Sequence, residues 1–190
     1  MLSTCNAPIE KQVLDAAATC VVDFGFARVT LAEIARRAGV SRPTIYRRWP
    51  DTTSVLTSLL TQRITDAADQ IPAQGPSREH LVARITTVVE LLRRDAVIMA
   101  VLRTAPEVAI VYITQRLGTS QHLLIDAIET GITRGQQHGS IRAGNPRQLA
   151  VMVLLTAQSA LQSGFLVESI IDSDDLAHEL TYMLNGYLAS

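Results

Sequence analysis

Residues 28–49 read RVTLAEIARRAGVSRPTIYRRW, and this stretch leaves the chain little conformational choice. Thr30-Leu31-Ala32-Glu33 is a capping box: the Thr hydroxyl and the Glu carboxylate satisfy opposite backbone donors, so a helix starts there. Leu31, Ile34, Ala35 and Ala38 form its inward stripe. Gly39 permits the left-handed turn that ends it, and Val40 plugs the angle that follows. Ser41 is a second N-cap. Pro43 sits inside the next first turn, where a missing N–H costs nothing. Ile45 faces inward with Val40 and Ala35, and Trp49-Pro50 ends the element. Two short helices joined by a glycine-bearing turn are a helix-turn-helix.

The charge of this segment is lopsided. It holds six arginines (Arg28, Arg36, Arg37, Arg42, Arg47, Arg48) against one acid, Glu33, a local net charge of +5 in a chain whose total is −1. A compact basic segment in a mildly acidic protein is a localised anion-binding surface. On a helix-turn-helix the expected anion is double-stranded DNA. A major-groove reader needs side chains at base edges and flanking donors that grip phosphates. Arg42, at the start of the second helix, suits a guanine contact; a phosphate contact or a solvated position is the alternative. Pro43 and Thr44 are small enough to approach the groove floor. Tyr46 lies beside the arginines and is read as a DNA contact, with packing as the alternative. Arg47 and Arg48 are expected to supply phosphate charge, Arg47 the more directly. Thr30 is expected to touch a phosphate besides capping its helix. Arg28 and Arg37 are lesser candidates, and Arg36 is read as solvated.

The rest of the chain reads as all-α, since no long stretch alternates with β period. A first helix is expected over about Pro8 to Phe24, with Ile9, Val13, Ala16, Ala17, Cys20, Val21 and Phe24 on one face. Asp51 caps a helix to about Gln70. The Pro- and Gly-bearing run Ile71 to Ser77 is the best break in the chain. Further helices are expected over about Ser77 to Arg94, Asp95 to Arg116 (broken near Pro106), Ser120 to His138, Pro146 to Val167 and Ser173 to Leu188.

Other chemistry finds little support. There is no HExxH, no GxSxG, no Gly-rich phosphate loop and no paired Cys/His set, so no catalytic residue, metal or cofactor is expected. Cys5 and Cys20 read as a tail thiol and a small core residue. The four histidines are scattered. The N-terminus lacks the pattern of a signal peptide. The most apolar window, Leu149 to Ile171, carries Gln158, Ser159, Gln162, Ser163, Gly164 and Glu168, too polar for a lipid-exposed span. A cytoplasmic protein without a membrane partner is expected.

Thr30, the Ile34-Ala35 pair, Ala38-Gly39-Val40-Ser41, Thr44-Ile45-Tyr46 and Trp49 resemble the tetracycline-repressor (TetR) family of bacterial regulators, most clearly over Ile9 to Leu60. The resemblance implies a helix-turn-helix head (residues 1–50), a connecting helix (51–70) and a ligand-binding and dimerisation body (71–190). It implies a homodimer, usually a repressor, that leaves a pseudo-palindromic operator when a small-molecule effector enters the body. It also implies a backbone contact for Tyr46. One position departs from the family: where members often carry a phosphate-binding lysine at the start of the fourth helix, this chain has Asp51-Thr52-Thr53.

High apolar content, 47% against 18% charged, points to apolar surface covered by a partner. The dimer region is read onto the last helices through Val153, Ala157, Ala160, Leu161, Gly164 and Leu184, with an ordinary internal core as the alternative. A pocket is expected among the middle helices, at Val88, Leu91, Leu92, Met99, Leu102, Tyr112 and Gln115, with core packing as the alternative. Few charged residues are available to line it, which favours an apolar ligand. A helical enzyme is the competing class and lacks a constellation; a dimeric binding protein with a vestigial head is the other.

Overall fold

The computed structural model describes residues 6–105 and 119–190, and these are helical throughout apart from their connections. The helices are α1 (Asn6–Phe24), α2 (Leu31–Ala38), α3 (Arg42–Arg48), α4 (Thr52–Asp69), α5 (Arg78–Arg94), α6 (Ala96–Thr104), α7 (Thr119–Gln137), α8 (Pro146–Ser163) and α9 (Ser173–Leu188). Tyr112 and Gln115 lie outside the described residues, as does the expected helical run beyond Pro106.

By internal contacts the chain forms two compact units. The first takes residues up to Ile64 together with the segment that begins at Asp95; the second takes Thr65–Arg94 together with the chain from α7 onward. This grouping differs from a cut at the Ile71–Ser77 loop, and the cause is α6. Asp95 caps it, its Oδ1 accepting from the Val97 and Ile98 N–H groups at 2.8 and 3.0 Å. Its buried face, Val97, Ile98 and Val101, packs on α1. That contact also explains why α1 buries Leu14 and Ala18 besides the expected stripe: it is covered on two sides. Phe24, expected inward, is instead exposed beneath the Arg37 guanidinium, 4.6 Å from its ring centre.

The core of the second unit is built by α5, α7, α8 and α9. Leu81, Val82, Ile85, Val89, Ile125, Ile132, Val153, Leu184 and Leu188 are buried in it. Gly135 leaves room for the Ile141 side chain, and Ile141 pairs with Ala189 in an isolated antiparallel bridge. The Arg142 N–H and Nε then donate to the carbonyls of Leu188 and Tyr187 at 3.0 and 2.9 Å, fastening the C-terminus.

Four of the six residues expected at a dimer face are instead enclosed by their own unit. Val153, Ala157, Gly164 and Leu184 are buried inside the second unit, and Ala160 and Leu161 are half-buried against the same core. Gly164 ends α8 in a short 3-10 turn, Gly164–Leu166, where one continuous helix was expected. A side chain there would run into the Arg93 guanidinium, which donates to the Ala160 carbonyl, and into Leu176. Gly164→Ala is therefore expected to displace Arg93 and lower the stability of this unit by about 1 kcal/mol, read as a fall in denaturation midpoint. The exposed apolar side chains of α8 and α9 are a different set: Met152 and Leu155, then Tyr182 and Met183.

Candidate nucleic-acid interface

Three local devices fix the second of the two short helices. The first is the end of α2. Gly39 takes left-handed backbone (φ 66°), its N–H donates to the Arg36 carbonyl at 3.3 Å, and the Val40 N–H reaches back to the Ala35 carbonyl at 3.0 Å. This is a Schellman closure, and only glycine adopts that backbone without strain. The second is the Ser41 cap: its Oγ accepts from the Thr44 N–H at 3.3 Å and shares a 2.8 Å hydrogen bond with the Thr44 hydroxyl. The third is Trp49. It is 4% exposed, and its indole N–H donates to Ser58 Oγ on α4 at 3.0 Å, so the end of α3 is pinned to α4. Ile45, fully buried, holds the inner side.

The capping box at Thr30 is only half made. The Glu33 N–H donates to the Thr30 hydroxyl at 3.2 Å, but the carboxylate turns to Arg36 and Arg37. Two guanidiniums 2.7–2.9 Å away hold the Glu33 carboxyl at a pKa of about 2, against an ordinary 4.5. Arg37 also bonds Asp23 at 2.5 Å, which ties α2 to the end of α1. A depressed carboxylate pKa contributes stability above the unfolded value and loses it as pH falls through the folded one. The thermal midpoint of wild type is thus expected to exceed that of Glu33→Gln at neutral pH, the gap closing between pH 4.5 and about 2.

These partners divide the six arginines. Arg36 and Arg37 are neutralised by Glu33 and Asp23. Arg48 is ion-paired to Glu10 of α1 and lies over the Trp49 ring. Arg28, Arg42 and Arg47 are exposed, and among the described residues they have no ion pair or hydrogen bond from their side chains. Pro43 and Arg47, four apart, project away from the buried Ile45 side, with Tyr46, 52% exposed, beside them. Thr44 is half-buried and occupied with Ser41; Thr30 is exposed. Glu10 and Asp23 were missed by sequence reasoning. Glu10 is 38 residues from its arginine, a separation that carries no local signal. Releasing Arg48 by Glu10→Gln is expected to raise DNA affinity a few-fold and to steepen the salt dependence by up to about 0.9 in log–log slope, measured by anisotropy on a labelled duplex.

Of the pocket residues, Val88, Leu91 and Leu92 sit on α5 in the second unit, while Met99 and Leu102 sit on α6 in the first. Cys20 is buried, and burial pushes its thiol pKa up, the reverse of an activated nucleophile. Among the described residues, no cluster of metal-ligating side chains is found.

Residues 13–59 match the bacterial regulatory proteins of the tetR family. Over 190 residues the chain is 55% identical to a helix-turn-helix transcriptional regulator of Mycobacterium tuberculosis, covering 99% of this chain and all of that one. The chain belongs to the tetR family. It is a DNA-binding transcriptional regulator. Solved structures share the fold: Bacillus subtilis FadR in complex with stearoyl-CoA (TM-score 0.69, 21% identity, 94% of this chain and 98% of that one) and SmeT, the repressor of a Stenotrophomonas maltophilia multidrug efflux pump (TM-score 0.69, 20% identity, 95% and 90%). In this regulator α3 carries two exposed arginines without an ion pair among the described residues, Arg42 and Arg47, while Asp23 and Glu10 of α1 pair Arg37 and Arg48.

Proposed function

We propose that this regulator is a homodimeric repressor that binds a pseudo-palindromic operator and is released by an apolar small molecule. The observation that carries the reading is the exposed, unpaired set Arg42, Tyr46 and Arg47 on a helix locked at both ends. Arg42 reads a base edge. Arg47, Thr30 and Arg48 grip phosphates, Arg48 after leaving Glu10. Pro43 and Thr44 approach the groove floor.

A second copy of the chain is the partner for the apolar strip Met152, Leu155, Tyr182 and Met183. α8 is long and apolar enough by length and composition to cross a membrane, and only 33% of that window is buried in its own chain. A cytoplasmic DNA-binding protein meets that excess with a protein partner, and two-fold pairing sets recognition helices about 34–36 Å apart, one helical turn of DNA. The effector is read as apolar from the half-buried Val88 and Leu91 of α5 and from the acyl chain that FadR holds. SmeT, named a repressor, supports the sign of regulation.

Selection of duplexes from a random or fragmented genomic library, sequenced at moderate salt, tests the reading. A pseudo-palindrome supports it. A folded dimer that enriches nothing overturns it in favour of a vestigial head.

A further inference from the structure

The loop between α4 and α5 closes against α7 and leaves a cleft of about 180 Å³ in the second unit. Its polar lining is Gln74, His80, Arg84, Thr130 and Arg134, set among Gly75, Gly131 and the apolar Ala73, Leu81 and Ala127. Three basic side chains thus face one small space, and among the described residues no carboxylate lines it. The nearest acids of α7, Asp126 and Glu129, are turned to Arg147 at 3.0 and 2.8 Å, and Glu79 is on Arg78 at 2.8 Å.

The cleft is built rather than left over. Arg84 is half-buried, and its Nε and Nη2 donate to the carbonyls of Ile71 and Ala68 at 2.7 and 3.2 Å. Two backbone acceptors therefore hold the guanidinium in place, with donors to spare. His80 shares a 3.0 Å hydrogen bond with the Ser77 hydroxyl through Nδ1, which leaves Nε2 for a ligand. The imidazole packs where a Gly75 side chain would stand, 2.6 Å from that position, and Leu81 does the same at Gly131. Arg134 is exposed and, among the described residues, its side chain has no ion pair or hydrogen bond.

We infer that this cleft is an anion site for a phosphoryl group, either free phosphate or the phosphate of a small monoester. Donors from two helices, His80 and Arg84 on α5 and Arg134 on α7, suit an oxyanion with several acceptor oxygens better than a planar carboxylate. The volume is well below the roughly 300–1,000 Å³ of drug-sized pockets, so the occupant is small. The cleft lies in the second unit and α3 in the first, and none of the residues read as the effector pocket lines it.

Titration calorimetry of the full chain with inorganic phosphate, at constant ionic strength with chloride as the blank, tests it. Amide chemical shifts of Gly75 and Gly131 report the location. Saturable binding of one phosphate per chain is expected, with those two amides moving. Arg134→Gln, which removes an exposed group with no partner to lose, is expected to weaken binding about five- to tenfold while leaving the phosphate-free melting temperature unchanged. Tighter binding of glycerol phosphate than of inorganic phosphate identifies a monoester as the ligand; equal or weaker binding identifies free phosphate. Absence of saturable binding, undiminished affinity in Arg134→Gln, or acetate binding as tightly as phosphate overturns the inference.

Discussion

Arg42→Ala combined with Arg47→Ala is expected to lower operator affinity about a hundredfold or more at moderate salt, and the single variants are expected to fail in different ways. Arg47 projects opposite Ile45 and has no partner among the described residues, so it is expected to meet DNA as a full, uncommitted charge. Its loss removes a phosphate contact: binding to every sequence weakens, and the log–log salt slope falls by about 0.9. Arg42 begins α3, and its loss is expected to relax preference at one or two base pairs by about 1–3 kcal/mol each while leaving nonspecific binding nearly intact. Both effects are read by anisotropy on the selected operator and on a scrambled duplex across a salt series. Arg36→Ala is the internal control, since Arg36 is committed to Glu33 and 70% exposed. If Arg36→Ala costs as much as Arg47→Ala, or if the double variant binds like wild type, the reading face is misassigned.

The head was legible because its signals are local. A cap at Thr30, a glycine at 39, a cap at Ser41 and a proline two residues later each act within four residues, and the structure realises all of them except the return arm of the first box. That arm failed for a reason the sequence also contains: Arg36 and Arg37 lie three and four residues beyond Glu33, and two guanidiniums outcompete one backbone N–H for a carboxylate. Charge was misjudged where it was long-range. Arg48 reads as a phosphate contact and Arg37 as a lesser one until Glu10 and Asp23, both on α1, claim them. The second unit was less legible for a different reason. A helix such as α8, apolar on more than one side, announces burial without saying what covers each side, so Val153, Ala157 and Leu184 were assigned to a partner although their own unit encloses them. Periodicity gives the direction of a side chain, and the neighbour in that direction is a matter of topology.

That distinction makes the proposed dimer testable by a contrast between two faces of the same helices. Leu155→Arg together with Met183→Arg places charges on the exposed apolar strip, at side chains that are each 51% exposed in the single chain. The folded monomer loses little from this, because neither position belongs to the core. A dimer built on the strip must desolvate four new like charges, so it is expected to dissociate, giving a monomer mass by sedimentation equilibrium with an unchanged helical spectrum. Operator affinity is expected to fall by about 10²–10⁴, since two heads no longer share an effective concentration. Leu184→Ala does the opposite. Leu184 is 1% exposed inside the unit, so its truncation is expected to cost about 2–5 kcal/mol of stability while the protein that remains folded stays dimeric. Dissociation by Leu184→Ala without loss of stability would return the interface to the buried set and sink the assignment to Met152, Leu155, Tyr182 and Met183; so would a double-arginine variant that remains a dimer.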